Sequence, residues 1–375
     1  MPAQPHLLVA ISPHGFGHTA QTAPVVNALR QRLPELRVTL RTTVNPALLA
    51  ARFAGVFEHI AVATDFGMEM ASAIDVLADA SAQVYAQFHE DWGHKVEQEA
   101  EALAALNPDL ILANVPYLTL AAAARAGIPA VAMSSLNWAD IYGHYCGHYP
   151  GAAKIHAEIL AAYNSTAGFL QTQPSMPMPD IAKRRAIGPV ANVGKNRRSE
   201  LNDRLGLAAQ DRLVIIAPGG IPLRLPMEEW PRVPNIRWLV PAEWGVRRTD
   251  TVALETLGMH FTDILCSCDA FIGKPGYGSF AEAACNGVPV LYVKRHDWPE
   301  EPYLVDWLAH NGRCLEIERE DLQTGNLARP LARLWSLSSK PAIKPTGIHE
   351  ATGYLYQCLQ ARRASVADTI PDAAQ

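Results

Sequence analysis

A glycine-rich turn in the second half of the chain carries residue types that bind anions. It runs from Gly273 to Gly278 with the sequence GKPGYG, after the apolar run Ala270 to Ile272 and before the small-residue segment Ser279 to Asn286. That order predicts a strand, a loop and a helix, with Gly287 as the helix stop. Backbone N–H groups at a helix N-terminus favour negative charge, and Lys274 adds a full positive charge. The turn therefore predicts a site for a phosphate or a diphosphate.

A second glycine-rich turn, Pro13 to Thr19, follows the first apolar run, His6 to Ser12. Histidine titrates nearest to neutral pH, so this turn supplies the candidates for a general base. His18 is the first candidate and His14 the second. Two aspartates elsewhere in the first half are weaker candidates for the same role: Asp65 and Asp140.

The elements that position these turns alternate between strand and helix in the first half of the chain. Strands are predicted over residues 6–12, 36–42, 56–62, 109–113 and 130–134. Helices are predicted after the turn Pro13 to Thr19, from Asn45 onward, over 69–106 and over 118–126. Such alternation predicts a doubly wound parallel sheet with helices on both faces. The segment Asp140 to Tyr149, rich in histidine and tyrosine, is interpreted as a packed loop, and the alternative is an acceptor pocket in which its rings stack on a sugar or aglycone. Its glycines and tyrosines weaken any helix, which argues against His144 and His148 as a metal-binding pair.

The proline-rich segment Gln173 to Pro179 marks a change of composition and predicts a domain boundary near residue 190. Beyond it the alternation restarts, with strands over 213–217, 236–240, 270–272, 288–293 and 313–317 and a helix over 262–268. We therefore expect an N-terminal domain over 1–190, a C-terminal domain over 191–345, a terminal helix over 346–363 that packs back on the first domain, and a tail over 364–375.

Composition narrows the class of protein. The 375 residues are 49% apolar and carry a net charge of -5, with 37 acidic and 32 basic residues, which argues against nucleic acid as a partner. Six scattered cysteines fit reduced thiols, and no apolar run is long enough for a signal peptide or a membrane span. We expect a cytoplasmic protein with no transmembrane segment and no cofactor.

Both glycine-rich turns resemble segments of the two-domain nucleotide-sugar glycosyltransferases called GT-B. Gly273 to Gly287 is similar to the donor-binding segment of the peptidoglycan N-acetylglucosaminyltransferase and its UDP-glycosyltransferase relatives, and Gly15 to His18 resembles their first loop. The stretch from Gly273 to Pro302 is also similar to the glycosyltransferase-like half of plant arabinokinases. The resemblance implies an α/β fold of two doubly wound Rossmann-like domains facing a cleft.

The resemblance also implies roles for individual residues at the donor. The residues that would hold the diphosphate are Gly219, Gly220, Lys274, Gly276, Tyr277, Gly278 and Ser279, while Gly15 and Gly17 would form the N-terminal loop. Glu282 would accept hydrogen bonds from the ribose, although an exposed glutamate in the first helical turn is the alternative. Phe261 and Thr262 would lie beside the nucleobase of the donor. Glu300 and Glu301 stand where the family has a sugar-contacting pair, often Asp-Gln, and lack its amide donor.

The activity implied is transfer of a sugar from a nucleoside-diphosphate donor, a UDP-sugar by the resemblance, to an unidentified hydroxyl acceptor. Amide dipoles and Lys274 can stabilise a leaving diphosphate without metal, and the chain contains no Asp-x-Asp metal motif. Stereochemistry stays open between inversion and retention. Two alternatives also stay open: a nucleotide-sugar hydrolase or 2-epimerase of the same fold, and a binding module without catalysis.

Overall fold

The computed structural model describes residues 4–14, 17–72, 75–217, 224–295 and 297–367, and it divides into two compact units. The first unit comprises Met1–Met70, Val76–Val190 and Thr346–Gln375. The second comprises Ala71–Asp75 and Ala191–Pro345. Among the described residues, no helix is both long and apolar enough to cross a bilayer.

The first unit contains a seven-stranded sheet in which every pair of neighbouring strands is parallel. Its strands are β1 (His6–Ile11), β2 (Arg37–Arg41), β3 (Glu58–Ile60), β4 (Leu110–Asn114), β5 (Ala130–Ser134), β6 (Gly168–Thr172) and β7 (Arg184–Ile187). Their spatial order is β3-β2-β1-β4-β5-β6-β7, so the order reverses between β1 and β4. Ligands of open α/β sheets bind at such a reversal, beyond the carboxyl ends of the strands.

The second unit repeats this arrangement with six parallel strands. They are β8 (Arg212–Ile216), β9 (Ile236–Val240), β10 (Thr251–Ala253), β11 (Ala270–Gly273), β12 (Val290–Tyr292) and β13 (Cys314–Glu316). The order β10-β9-β8-β11-β12-β13 reverses between β8 and β11. Both sheets therefore have the Rossmann strand order, and the predicted α/β fold class is confirmed.

Helices connect the strands in both units. Those of the first unit are α1 (Gly17–Arg32), α2 (Pro46–Arg52), α3 (Ala78–His89), α4 (Trp92–Leu106), α5 (Tyr117–Arg125), α6 (Trp138–Cys146), α7 (Ala152–Asn164) and, after the second unit, α14 (Gly347–Ala367). Those of the second are α8 (Arg198–Leu205), α9 (Phe261–Cys266), α10 (Tyr277–Cys285), α11 (Glu301–Asn311), α12 (Arg319–Thr324) and α13 (Ala328–Ser336). Short 3₁₀ helices lie at Met227–Glu229, Ala242–Trp244 and Leu254–Leu257.

Continuous burial explains why the central strands form where the sequence predicts them. All residues of β1, β4 and β5 in the first unit and of β11 and β12 in the second are buried. Strands of a parallel sheet are covered on both faces and therefore read as unbroken apolar runs. The apolar runs of the sequence thus set the centre of each sheet.

The C-terminal helix α14 packs within the first unit. The Thr352 hydroxyl lies 3.4 Å from the carbonyl oxygen of Val25 in α1, and the Tyr354 hydroxyl donates to the carbonyl of Ala167 at 3.1 Å. The guanidinium of Arg32 lies 3.6 Å from the centre of the Tyr356 ring. These contacts hold the last helix on α1 and on the start of β6.

Two predicted elements differ from the structure, and three strands were not predicted. The single helix predicted over 69–106 is instead a bridge between Met70 and Val76 followed by α3 and α4, which are separated at Glu90 and Asp91. The segment interpreted as a packed loop is largely helix α6, in which Asn137 caps the first turn and Gly143 is an internal residue. Strands β6, β7 and β10 lie where no strand was predicted.

Candidate active site

Helix α1 begins at Gly17, within the glycine-rich segment Pro13 to Thr19, and buries His18, its second residue, to 5% exposure. The Nδ1 atom of His18 lies 2.8 Å from Oδ1 of Asn114, the last residue of β4. Burial lowers the pKa of His18 to about 4, and the hydrogen bond with Asn114 offsets only part of that effect. The imidazole therefore stays neutral near pH 7, with a defined partner at one nitrogen.

Asn114 is itself held by a second amide. Its Nδ2 donates to Oε1 of Gln21 at 3.1 Å, and Nε2 of Gln21 donates to the Ser135 hydroxyl at 2.9 Å. Gln21 lies one turn after His18 in α1, and Ser135 directly follows β5. The sheet order brings the ends of β1, β4 and β5 side by side, so residues far apart in sequence form one buried chain of hydrogen bonds.

Asp65 lies in the long connection after β3 and is 2% exposed. Its Oδ2 accepts a hydrogen bond of 2.6 Å from the indole Nε1 of Trp138, the first residue of α6. Burial raises the pKa of Asp65 to about 7, against smaller opposing contributions from Trp138 and Ser12. Of the four candidates for a base, Asp65 is the carboxyl group whose pKa lies near neutrality.

Trp138 brings three of the candidates together. Its ring centre lies 5.3 Å from that of His14, edge to face, and 6.0 Å from that of His18. The His14 ring also packs against Gly67, where an added Cβ would meet Nδ1 of His14 at 2.6 Å. His14, His18 and Asp65 thus surround one indole at the carboxyl edge of the first sheet.

Asp140 has a structural role at the start of α6. Its backbone N–H donates to Oδ1 of Asn137 at 2.9 Å, and Nδ2 of Asn137 donates back to Oδ2 of Asp140 at 2.7 Å. Asn137 is therefore the N-cap of α6, and its side-chain oxygen satisfies one N–H group at the helix N-terminus. The Asp140 carboxylate holds the Asn137 side chain in this position.

In the second unit the donor turn connects β11 to α10 at the reversal of strand order. A Cβ added to Gly273 would lie 2.7 Å from the Phe271 ring and 3.2 Å from the carbonyl oxygen of Ala217, so only glycine fits here. Gly276 is the N-cap residue of α10 and has no side chain of its own to cap the helix. The first helical hydrogen bond runs from Phe280 N to Gly276 O at 3.0 Å, so the N–H groups of residues 277–279 precede the helical ladder.

Among the described residues, the nearest neighbour of a Cβ added to Gly276 would be the carbonyl oxygen of Lys274, at 3.9 Å. Burial, and then the charge of Arg295, lower the pKa of Lys274 to about 7. An anion beside Lys274 would favour the protonated lysine, because its charge opposes both the effect of burial and the repulsion from Arg295.

Glu282 and Tyr277 of α10 are buried, at 5% and 4% exposure. The alternative of an exposed first-turn glutamate at position 282 is therefore wrong. Phe261 and Thr262 begin α9, where the His260 ring accepts from the Thr262 N–H at 3.4 Å. Gly194 packs directly on this turn, since an added Cβ would lie 2.0 Å from the Thr262 carbonyl oxygen.

The carboxylates of Glu300 and Glu301 both accept hydrogen bonds from residues of the loop that follows β12. Oε2 of Glu300 accepts from the Trp298 indole at 3.2 Å, and Glu301 accepts from the Arg295 N–H at 2.9 Å. The Arg295 guanidinium lies 5.0 Å from the Trp298 ring centre. Burial raises the pKa of Glu301 to about 7, although the Arg295 N–H and charge lower it. The pair therefore shapes the loop that follows β12.

Three predicted site residues, Gly15, Gly219 and Gly220, lie outside the described residues. Gly17 begins α1, and no heavy atom of the described residues lies within 4 Å of a Cβ added there. Within the described ranges, no cluster of three or more His, Cys, Asp or Glu side chains is arranged to hold a metal ion. The sequence reasoning missed Asn114, Gln21, Ser135, Trp138 and Arg295; a polar residue ending the apolar run 110–113 was the available signal for Asn114.

Solved structures with the same architecture identify the fold. The chain superimposes on the glycotransferase of kitacinnamycin with a TM-score of 0.60 and 17% identity, covering 98% of this chain and 99% of the other. The chain has the GT-B fold. Two further GT-B matches are UGT89C1 of Arabidopsis thaliana complexed with UDP, with a TM-score of 0.56, 16% identity and coverage of 96% and 99%, and SnogD of Streptomyces nogalater, with a TM-score of 0.54, 18% identity and coverage of 99% and 100%.

Sequence comparison adds one curated relative. Over 348 residues the chain is 26% identical to L-arabinokinase of Arabidopsis thaliana, a match that covers 88% of this chain and 32% of the relative. The chain thus spans about a third of the curated relative that it matches. The predicted resemblance to GT-B glycosyltransferases and to plant arabinokinases is confirmed. No protein-family model matches the chain.

Proposed function

We propose that this protein is a glycosyltransferase that transfers a sugar from a nucleoside-diphosphate donor, a UDP-sugar, to a hydroxyl acceptor without a metal ion. The observation that carries the proposal is the turn between β11 and α10. There a helix N-terminus whose N-cap residue is Gly276 lies at the reversal of strand order, beside Lys274, a lysine whose pKa is lowered by burial and by the charge of Arg295. This combination suits a diphosphate.

In the proposed donor complex, the N–H groups of residues 277–279 contact the diphosphate and Lys274 neutralises part of its charge. Glu282, buried one turn into α10, accepts hydrogen bonds from the ribose hydroxyls. The start of α9, at Phe261 and Thr262, lies beside the nucleobase. Glu300 and Glu301 fix the loop beside the sugar. Structures of UGT89C1 with UDP and of VinC with dTDP support a nucleotide ligand for this fold.

The proposed chemistry is displacement at the anomeric carbon. The acceptor oxygen forms the new bond to that carbon, its proton passes to Nε2 of His18, and the bond from the anomeric carbon to the diphosphate oxygen breaks. The diphosphate leaves with the bonding electrons, and Lys274 with the helix N-terminus stabilises the added charge. A single displacement of this kind inverts the anomeric configuration. His14 is the alternative base, and Asp65 the third.

A nucleotide panel tests the donor site first. UDP, dTDP, ADP, GDP and the matching monophosphates are each added to the protein and the melting temperature is recorded. A ligand that binds only the folded state at 100 times its Kd stabilises it by about 2.7 kcal/mol, so UDP is expected to raise the Tm by several degrees. If no nucleotide raises the Tm, the protein is a binding module without a working donor site.

Product analysis then separates transfer from its alternatives. A radiolabelled UDP-sugar is incubated with the protein and a panel of hydroxyl acceptors, with and without EDTA. Labelled glycoside that forms equally in EDTA is expected. Free labelled sugar in the absence of acceptor would instead indicate a hydrolase, and a labelled 2-epimer would indicate an epimerase.

A further inference from the structure

Four uncharged side chains in the first unit form one continuous hydrogen-bonded chain. Its members are Ser135, Gln21, Asn114 and His18, and the successive distances are 2.9, 3.1 and 2.8 Å. Their exposures are 1%, 2%, 0% and 5%, so solvent does not compete for these bonds. A buried polar network with every member satisfied fixes side-chain orientation strongly.

The chain has a direction, which determines the tautomer of His18. Nε2 of Gln21 donates to Ser135, so Oε1 of Gln21 accepts from Asn114, and Oδ1 of Asn114 is left to face His18. A carboxamide oxygen only accepts, so Nδ1 of His18 must carry the proton. The opposite direction would put the proton on Nε2, and no described residue accepts a hydrogen bond from that atom.

The partner of His18 is an amide and not a carboxylate, which affects the charged form of the ring. A carboxylate in this position would stabilise imidazolium electrostatically, whereas a neutral amide does not. Burial works in the same direction, since it disfavours the charged form. The surroundings therefore keep the ring neutral and available as a proton acceptor in moderately acidic solution.

We propose that Asn114, Gln21 and Ser135 are positioning residues that lock His18 in the neutral Nδ1–H tautomer, with Nε2 as the atom that accepts the acceptor's proton. This inference rests on the proposed function for its role in transfer. The tautomer itself is a property of the protein alone. Two other titratable groups, His14 and Asp65, are associated with His18 through Trp138, while Asn114 brings no charge to it.

Nitrogen NMR on the intact protein tests the tautomer without any substrate. Long-range ¹H–¹⁵N spectra of ¹⁵N-histidine-labelled protein are recorded from pH 4.5 to 6.5, where Asp65 is protonated by virtue of its pKa raised to about 7. The His18 signals are assigned by their loss in His18→Gln, and His14 is followed in the same spectra. We expect a protonated Nδ1 and an unprotonated Nε2 down to about pH 5. A protonated Nε2 would overturn the proposal.

Asn114→Asp tests the neutrality of the chain. A carboxylate in contact with His18 favours imidazolium, and an opposite charge this close shifts a pKa by about one to three units. The variant's His18 signals should therefore titrate at least one pH unit higher than in the parent protein. Asn164→Asp, in the same unit and outside the chain, should leave them unchanged. An unchanged His18 titration in folded Asn114→Asp would contradict the proposal.

Transfer kinetics provide the link to function. In Asn114→Asp the acidic limb of kcat against pH should move up by at least one unit, so that kcat at pH 5 falls to about half of its plateau value or lower. Gln21→Leu should lower kcat with little change in the KM for donor. A correct tautomer together with no transfer in the parent protein would reject the glycosyltransferase function and leave the tautomer assignment intact. Transfer with an unmoved acidic limb would reject the positioning role.

Discussion

The carboxylate of Asp65 accepts a hydrogen bond of 2.6 Å from the indole nitrogen of Trp138. Because the rings of His14 and His18 both pack on that indole, one buried carboxyl group orients the aromatic centre of the candidate active site. No described cation pairs with Asp65. The carboxyl group therefore contributes a pH dependence to folding as well as a hydrogen bond.

Asp65→Asn is expected to change how stability depends on pH. The folded protein holds the pKa of Asp65 at about 7, above its usual 3.8, so between these values the folded state binds more protons than the unfolded state. The contribution of protonated Asp65 to the free energy of unfolding is fully present below about pH 4. It is lost as the pH rises through about 7, and the loss amounts to up to about 4 kcal/mol. The asparagine variant lacks this loss, so its free energy of unfolding should increase relative to that of the parent protein as the pH rises.

Urea unfolding at pH 4.5, 6 and 8 measures this gain. Asp91→Asn provides the control, because Asp91 is exposed and its side chain caps no helix. The difference in free energy of unfolding between Asp65→Asn and parent should grow with pH, while that of the control stays constant. A constant difference for Asp65→Asn would show that Asp65 is ionised in the folded state throughout this range.

His18→Ala is expected to abolish transfer and spare nucleotide binding. Loss of a general base lowers kcat about 10²- to 10⁴-fold, whereas the nucleotide contacts belong to the second unit. His94→Ala, an exposed position in α4, should leave kcat unchanged. Initial rates and calorimetric titration with UDP measure the two effects. A His18→Ala protein that transfers sugar at the parent rate would move the base to His14 or Asp65.

Lys274 should make nucleotide binding weaken as the pH rises above 7.5. Its pKa is lowered to about 7, so an increasing fraction is neutral there, and binding a diphosphate must first return the proton. The Kd for UDP should rise by up to about tenfold per pH unit, and each binding event should take up close to one proton. Calorimetry in buffers of different ionisation enthalpy measures both.

Two variants distinguish the specific effect of the Lys274 charge from the effect of removing any positive charge. Lys274→Met should bind UDP weakly and without the pH dependence. Lys294→Met, which removes an exposed lysine paired with Glu316 at 2.6 Å, should behave as the parent. A parent protein that binds UDP with no proton uptake between pH 7.5 and 9 would mean that Lys274 does not contact the diphosphate.

Gly347 and Gly353 in α14 should respond oppositely to alanine. A Cβ at Gly347 would lie 2.0 Å from the carbonyl oxygen of Gly188, where the chain leaving the first unit passes the chain returning to it. A Cβ at Gly353 meets no heavy atom within 4 Å. Gly347→Ala should cost about 1 to 3 kcal/mol, and Gly353→Ala should stabilise by up to about 1 kcal/mol. Denaturant midpoints of the two variants measure this, and equal effects would contradict the packing described.

The sheet centres were predictable from the sequence because β1, β4, β5, β11 and β12 are buried on both faces and read as apolar runs. Strand β7 was not, since its sequence RRAI exposes three of four residues at the sheet edge. Strand β6 contains Gly168, which has room only for a hydrogen under the Tyr354 ring of α14. That contact joins residues far apart in sequence, and no local pattern reveals it. The break between α3 and α4 was hidden by polar residues that also suit a helix.

The candidate site was predictable only in its local motifs. Residue type and position alone predict an anion site at the glycine-rich turn with Lys274 and a general base among the histidines after β1. Asn114 and Ser135 become partners of α1 only because the strand order places β4 and β5 beside β1. The charge of Arg295 acts on Lys274 in the same way, because the two residues follow the neighbouring strands β12 and β11. Partnerships of this kind depend on topology, which single-residue patterns do not contain.

Calorimetric titration of the parent protein with UDP tests the central claim most directly, because every role proposed for the second unit depends on the turn between β11 and α10. We predict a single site with a Kd in the micromolar range, about tenfold or more weaker for UMP, and lost in Lys274→Met but kept in Lys294→Met. Absence of UDP binding to the folded parent protein, or equal binding of UDP to all three proteins, would contradict the account.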